Sequence, residues 1–337
     1  MKVARQIDYL IASGPAVPGG PQYLASSTIL ALAKGIGARG SRAAILVIDP
    51  TLDPGAVARG DSEGVAVFRT SQPVSTLPAL SLALGGPRIL VLPNQLAAYD
   101  LLRLPGLDAL AWLGEDDLAP LGRQLPVAPM QYWGDSGYVA DLAGALLQQP
   151  VAPVAPPSGP ASVAAIASRP DTIAVMGARP RDGIALTLAL AAARRDLRFI
   201  VIDWPRLGET ERQDFFARAA RCGNIDWRRP DGPAALLEGL LEAAVILVPA
   251  QQPIGHRDWV DHCRRCGRHL LGSDLGALPA LIGADGETLP PTAPPARWLE
   301  RLDHLRMQVA AAEHRPGGGL ATPVDLILDR LMAPSPV

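Results

Sequence analysis

The stretch "TIAVMGARPRDGIALTLALAAARRDLRFIVID", residues 172–203, decides how the rest of the chain is read. It opens on a β-branched apolar run that stops at Met176 and turns at Gly177. Two arginines, Arg179 and Arg181, follow, and a helical pattern begins near Ile184. A second β-branched run, Arg198 to Asp203, closes the unit. Strand, helix and strand in that order read as parallel strands covered by a helix.

The same alternation recurs on both sides. Strand candidates in the first half are "QIDYLIA" (6–12), "AAILVID" (43–49), "VAVFR" (65–69), "RILVL" (88–92) and "ALAWLG" (109–114). Those in the second are "DTIAVMG" (171–177), "RFIVID" (198–203), "NIDWRR" (224–229), "AVILVPA" (244–250) and "HLLGSD" (269–274). Between them lie helical stretches such as "QYLASSTILALAKGIGARG" (22–40). The expectation is an α/β protein of two Rossmann-like domains whose parallel sheets face each other across a cleft, with ligands at the carboxyl ends of the strands.

A chain of 337 residues fits two domains at the usual size of about 100 to 200 residues each. The segment 148–170, "QQPVAPVAPPSGPASVAAIASRP", contains six prolines among small residues, which disfavour a helix or a central strand. It reads as a linker between an N-terminal domain, 1–147, and a C-terminal domain, 171–337, to which the last helices are assigned.

Composition removes several function classes. A net charge of −2 gives no basic footprint for nucleic acid. Arginine outnumbers lysine 29 to 2, a bias that reads as background rather than chemistry. Three cysteines make no disulfide framework and fit a reducing compartment. The first residues, "MKVARQIDYLIA", have a basic tip, but Asp8 interrupts the apolar run that a leader needs. No run reaches the roughly 18 apolar residues that span a bilayer. The expected location is cytoplasmic, with contact at the inner membrane face left open.

Two loops carry candidate chemistry. In "SGPAVPGGPQYLASS", Gly19 and Gly20 precede a helix, so the backbone there can approach a ligand closely and the helix start favours an anion; a turn with no ligand fits the same glycines. In "VMGARPRDG", Arg179 and Arg181 stand beside a helix start. Planar guanidiniums suit a diphosphate, although solvated surface arginines fit the pattern equally well. Asp203, at the end of the next strand, lies where an acid would bind a dinucleotide ribose. However, "GARPRDG" is neither GxGxxG nor a P-loop.

Taken in order, three segments resemble the retaining glycosyltransferases of the GT-B fold, the group that includes glycogen- and sucrose-synthase-like enzymes. "PGGPQYLASSTILALAKGIGARGSRAAILVID" (18–49) is similar to that family's N-terminal Gly-Gly loop, helix and strand. Residues 172–203 resemble the opening of its C-terminal domain. "AAVILVPAQQPIGHRDWVDHCRRCGRHLLGSDLGALPALIGADGETLPP" (243–291) looks like its donor segment.

The resemblance implies transfer of a sugar from a nucleotide-sugar donor to a glycan, lipid or protein acceptor, with no cofactor and no metal. It implies that Arg179 and Arg181 hold the diphosphate. It also implies that Gly177, Gln252, Gly255, His256 and either Asp261 or His262 contact the donor, and that the Gly19–Gly20 loop closes over the sugar. Departures accompany it. Gln252 stands where the family has its first glutamate, and Asp261 or His262 takes the place of the second. Asp182 replaces a lysine, and "VLPNQLAAYD" places Asn94 and Gln95 where the family has a histidine. Two readings therefore stay open, an active divergent transferase and an inactive glycosyltransferase-like binding or scaffolding subunit.

The segment "HRDWVDHCRRCGRH" (256–269) gathers histidines and cysteines as a zinc site would, but Gly267 ends its helix before His269. The resemblance makes Cys266 a packing residue there. At the C-terminus, Trp298, Leu302, Leu305 and Val309 form one helical stripe. It is expected to pack on the protein itself, a homo-oligomer contact being the other use.

Overall fold

The computed structural model describes residues 6–13, 22–92, 104, 108–123, 131–155, 167–203, 207–231, 233–253, 259–260, 263–264, 266–311 and 324–332, without the side chains of 22–28, 233–234, 285 and 309–311. These residues form two compact units, one from the first half of the chain with the final helix, the other from residues 167–311.

The first unit is an eight-stranded sheet. Its strands are β1 (Tyr9–Ser13), β2 (Ala43–Ile48), β3 (Val57–Ser62), β4 (Val65–Thr70), β5 (Arg88–Val91), β6 (Ala109–Leu113), β7 (Gln131–Gly134) and β8 (Ala152–Pro153). The order across the sheet is β3-β4-β2-β1-β5-β6-β7-β8. All pairings are parallel except β3 with β4, a hairpin the sequence pattern did not reveal. Its turn residues Glu63 and Gly64 both have positive φ, the backbone that a tight two-residue hairpin turn demands. β3 reads "VARGDS" and is mostly exposed, so it gives no apolar signal. β8, inside the proline-rich segment read as a linker, pairs with β7. It is two residues long and at the sheet edge, where proline's missing N–H costs nothing.

The second unit holds six strands: β9 (Arg169–Met176), β10 (Arg198–Ile202), β11 (Ile225–Arg228), β12 (Ala243–Val248), β13 (His269–Ser273) and β14 (Glu287–Leu289). They lie in the order β11-β10-β9-β12-β13-β14 and pair in parallel throughout. β12 reads "AAVILV" and every residue in it is buried, as expected of a strand covered on both faces. The register of β9 against β12 shifts between Ala243 and Val245. Pro170, which has no N–H to give, falls in that irregular stretch. Chain order reverses at β9, and open parallel sheets bind ligands at the carboxyl ends of the strands beside such a reversal, here β9 and β12.

Helix Pro295–Ala311 packs on this second sheet through Trp298, Leu302 and Leu305, all buried in its core. The stripe expected from the sequence therefore serves internal packing; the Val309 side chain lies outside the described set. Helix Val324–Met332 behaves differently. Sequence reading placed it with the C-terminal half, yet Ile327, Leu328 and Leu331 are buried in the core of the first unit, beside Ile29, Leu32 and Ile36. Arg39 pairs with Asp325 and Asp329 at 3.2 and 2.8 Å, which fixes the direction of that helix. The local sequence carries no information about which sheet the apolar face of this helix meets.

Candidate functional site

β9 delivers the chain to Gly177, whose φ is +85°. No side chain fits there, since a Cβ on Gly177 would stand 2.4 Å from the Asp182 carboxyl carbon. The chain then makes one tight turn over Pro180–Asp182. The Asp182 N–H donates to the Arg179 carbonyl at 3.0 Å, and the Arg179 N–H donates to Asp182 Oδ2 at 3.1 Å. This reciprocal pair locks the turn. Gly183, at φ +82°, leads into helix Ile184–Ala193.

The turn is also tied to the neighbouring strand end. The Gln251 N–H donates to the Arg181 carbonyl at 2.7 Å, and the Pro249 carbonyl lies directly against Gly183. From β13, Ser273 Oγ donates to the Ala250 carbonyl at 2.6 Å. Three adjacent strand ends, β9, β12 and β13, are therefore stitched together at the place where chain order reverses. On this base the Arg179 side chain is half-buried while those of Arg181 and Gln252 are exposed.

Asp182 differs from its sequence reading. There it was an acid in the place of the family's lysine. In the structure it is 1% exposed and turned into the loop, where it caps the Arg179 N–H. Burial pushes its carboxyl above the usual range, against the pull of the Arg179 N–H, of Arg181 and of the Arg179 charge. Asp203 is likewise structural. It is fully buried, accepts the Leu207 N–H at 2.7 Å, and lies 3.9 Å from Arg229 Nε. Its buried carboxylate is engaged by the Leu207 N–H and is not offered to a ribose.

Of the residues singled out from sequence, Gly177, Arg179, Arg181 and Gln252 are brought to this one edge of the second sheet. Gly19, Gly20, Gly255, His256, Asp261 and His262 lie outside the described residues, as do Asn94 and Gln95. Cys263 is completely buried, and burial drives its thiol well above the usual range, whereas Cys266, which the resemblance made a packing residue, is half-buried. A thiol that resists ionisation is a poor metal ligand. Among the described residues no three His, Cys, Asp or Glu side chains are grouped to hold a metal ion. Pro249, Gln251 and Ser273 were missed, because their contribution is a backbone contact or a single hydrogen bond across strands. The glycines at both ends of "GARPRDG" were the available signal.

Glycosyltransferases are among the solved structures that share this architecture. Sucrose-phosphate synthase from Thermosynechococcus elongatus matches at TM-score 0.63 and 16% identity, over 97% of this chain and 98% of that one. A glycosyltransferase from Rickettsia africae matches at 0.62 and 11%, over 97% of each. The Anabaena protein HepE, solved with UDP, matches at 0.57 and 11%, over 96% of this chain and 98% of that one.

The fold is GT-B. In that fold, the strand ends described above belong to the second of its two Rossmann-like units. No protein-family model matches the sequence, and comparison with curated proteins returns no relative. No helix among the described residues is long and apolar enough to cross a membrane.

Proposed function

We propose that the chain binds a nucleotide sugar at the carboxyl edge of its second sheet and transfers the sugar to a glycan, lipid or protein acceptor. One observation carries this reading. At the strand-order reversal, a turn fixed at both ends by close-packed glycines presents the guanidiniums of Arg179 and Arg181, one half-buried and one exposed. Positive groups presented from a locked backbone stabilise charge that develops on a departing diphosphate. The neighbours support the choice of ligand, since HepE was solved with UDP-glucose and Arabidopsis starch synthase IV with ADP and acarbose. Gln252, with Gly255, His256 and Asp261 or His262 beyond it, would complete the donor contacts, and Gly19 and Gly20 the loop over the sugar.

A second reading has its own observation. The position that resembles the family's lysine is Asp182, buried and committed to the turn. That leaves less positive charge for the leaving group and fits a binding subunit that has lost transfer. A thermal-shift panel of UDP-, ADP- and GDP-sugars tests the shared premise, because a ligand that binds only the folded chain raises its melting temperature. Stabilisation by one of them is expected, weakened by about 1.5 to 3 kcal/mol in Arg179→Ala and in Arg181→Ala. No response across the panel would overturn both readings. With binding established, hydrolysis of the bound sugar nucleotide by the unaltered protein, abolished in Arg179→Ala, selects the enzyme; binding without turnover selects the subunit.

A further inference from the structure

Asp182 and Arg181 are neighbours with unequal freedom. The Asp182 carboxylate is buried, and only one of its oxygens is hydrogen-bonded: Oδ2 accepts the Arg179 N–H, while Oδ1 has no hydrogen-bond partner. What compensates Oδ1 is the Arg181 guanidinium, whose Nε stands 3.7 Å away. The backbone of Arg181 is held by the Gln251 N–H, but its side chain is 43% exposed. Arg181 is thus both the counter-ion of a buried acid and a candidate ligand of the incoming diphosphate. It cannot serve both fully. A buried carboxylate that loses its counter-ion either bears a large desolvation cost or takes up a proton.

We propose that Asp182 and Arg181 form an exchangeable pair: a bound diphosphate draws Arg181 away and Asp182 Oδ1 accepts a proton from solvent, so that nucleotide binding is coupled to proton uptake. This rests on the donor-site reading above and adds a linkage that the reading alone does not require. The other charges acting on Asp182 set its direction. Arg179 favours the carboxylate, whereas Glu211, from helix Glu209–Ala219, opposes it, as would the phosphates themselves. The diphosphate therefore raises the acid's affinity for a proton twice, by removing a cation and by adding anions.

The sign follows from linkage. A ligand that increases proton binding is itself bound more tightly at lower pH, and its affinity falls as pH rises between the free and bound values of the acid. UDP-glucose and ADP-glucose are suitable probes, because their diphosphates are diesters with no titration near neutrality. Titration calorimetry of the full chain in buffers of different ionisation enthalpy reads the protons directly. On the order of one proton taken up per nucleotide is expected inside the window, with affinity dropping by up to about tenfold per pH unit there.

Asp182→Asn keeps an acceptor for the Arg179 N–H but cannot ionise. It should bind the same probe with no uptake and a flat pH profile, which a merely structural role for Asp182 would not produce. If that variant fails to fold, Arg181→Met serves instead, since it leaves no counter-ion to exchange and should reduce the uptake. Uptake that persists unchanged in the variant would assign the proton to another group, such as His256 or His262, and overturn the proposal. Binding with no uptake at any pH would overturn it while leaving the donor site intact. Absence of binding by either probe would overturn the donor site together with the linkage.

Discussion

Gly183 and Pro249 meet so closely that the missing side chain of the glycine is part of the contact. A Cβ at Gly183 would stand 1.9 Å from the Pro249 carbonyl oxygen, and the residue's φ of +82° is one that side chains rarely adopt. This pair fixes the spacing between the loops after β9 and β12, on which the proposed diphosphate site depends.

Gly183→Ala should therefore damage stability and binding together. The displaced carbonyl belongs to backbone and cannot swing aside, so the cost is expected at about 3 kcal/mol or more. Chemical denaturation measures it. A variant as stable as the parent would show that the two loops are not rigidly joined.

Asn224 anchors the far end of the same helix. Its Nδ2 lies within hydrogen-bond distance of the carbonyls of Ala191, Arg194 and Leu197, at 3.1, 2.9 and 2.8 Å, closing the last turn of helix Ile184–Ala193. Asn224→Ala should cost about 1 to 3 kcal/mol, and Asn224→Asp more, because it points a negative acceptor at carbonyl oxygens. Equal urea midpoints for the Ala and Asp variants would contradict that ordering.

Helix Val324–Met332 is expected to stabilise the first unit even though it is encoded last. Gly35 provides its seat, since a Cβ there would come within 2.6 Å of Leu328 Cδ1 and 3.3 Å of Val324 Cγ1. Truncation before residue 324 should remove about 1.5 to 3 kcal/mol for each of Ile327, Leu328 and Leu331. Hydrogen exchange should show the loss in β1, β2 and helix Gln22–Ala38, while β9 to β14 stay protected. Loosening confined to the second sheet would argue against this packing.

An ion network in the second unit should give it an acid limb. Arg198 joins Asp226 and Glu242 at 2.5 and 2.9 Å, Arg228 reaches Glu242 at 2.7 Å, and Arg169 stands 3.6 Å from Glu242. Burial alone would raise both carboxyls. Hydrogen bonds from Arg228 to both, from Arg198 to Asp226, and the surrounding positive charge outweigh it and hold both below their usual values. A carboxyl whose folded value is depressed contributes stability above its unfolded value and loses it as pH falls through the folded one. Unfolding midpoints should therefore decline on acidification from about pH 4 downward, near the ordinary carboxylate range. The double variant Asp226→Asn, Glu242→Gln should decline less steeply; an unchanged slope would place the acid limb elsewhere.

The strands and their parallel pairing were legible in the sequence wherever the residues were apolar and β-branched, because burial on two faces imposes that pattern locally; "AAVILV" reads as an inner strand without any knowledge of its neighbours. The order of segments carried the resemblance to GT-B transferases for the same reason, as did Gly177, Arg179 and Arg181 as a candidate anion loop. Other features depend on partners distant in sequence. The exposed strand β3 is recognised by its hairpin and β8 by its pairing with β7. The last helix shows its allegiance only through contact with Gly35 and Arg39. Asp182 is the clearest case: one letter in a loop, it reads as an acid in the place of a lysine, and only the close approach of Gly177 and the fold of the turn bury it and make it a cap. Local pattern determined which segments are strands and helices. Which face, partner or degree of burial each side chain received was decided by tertiary packing, because desolvation and contact depend on residues the local sequence does not contain.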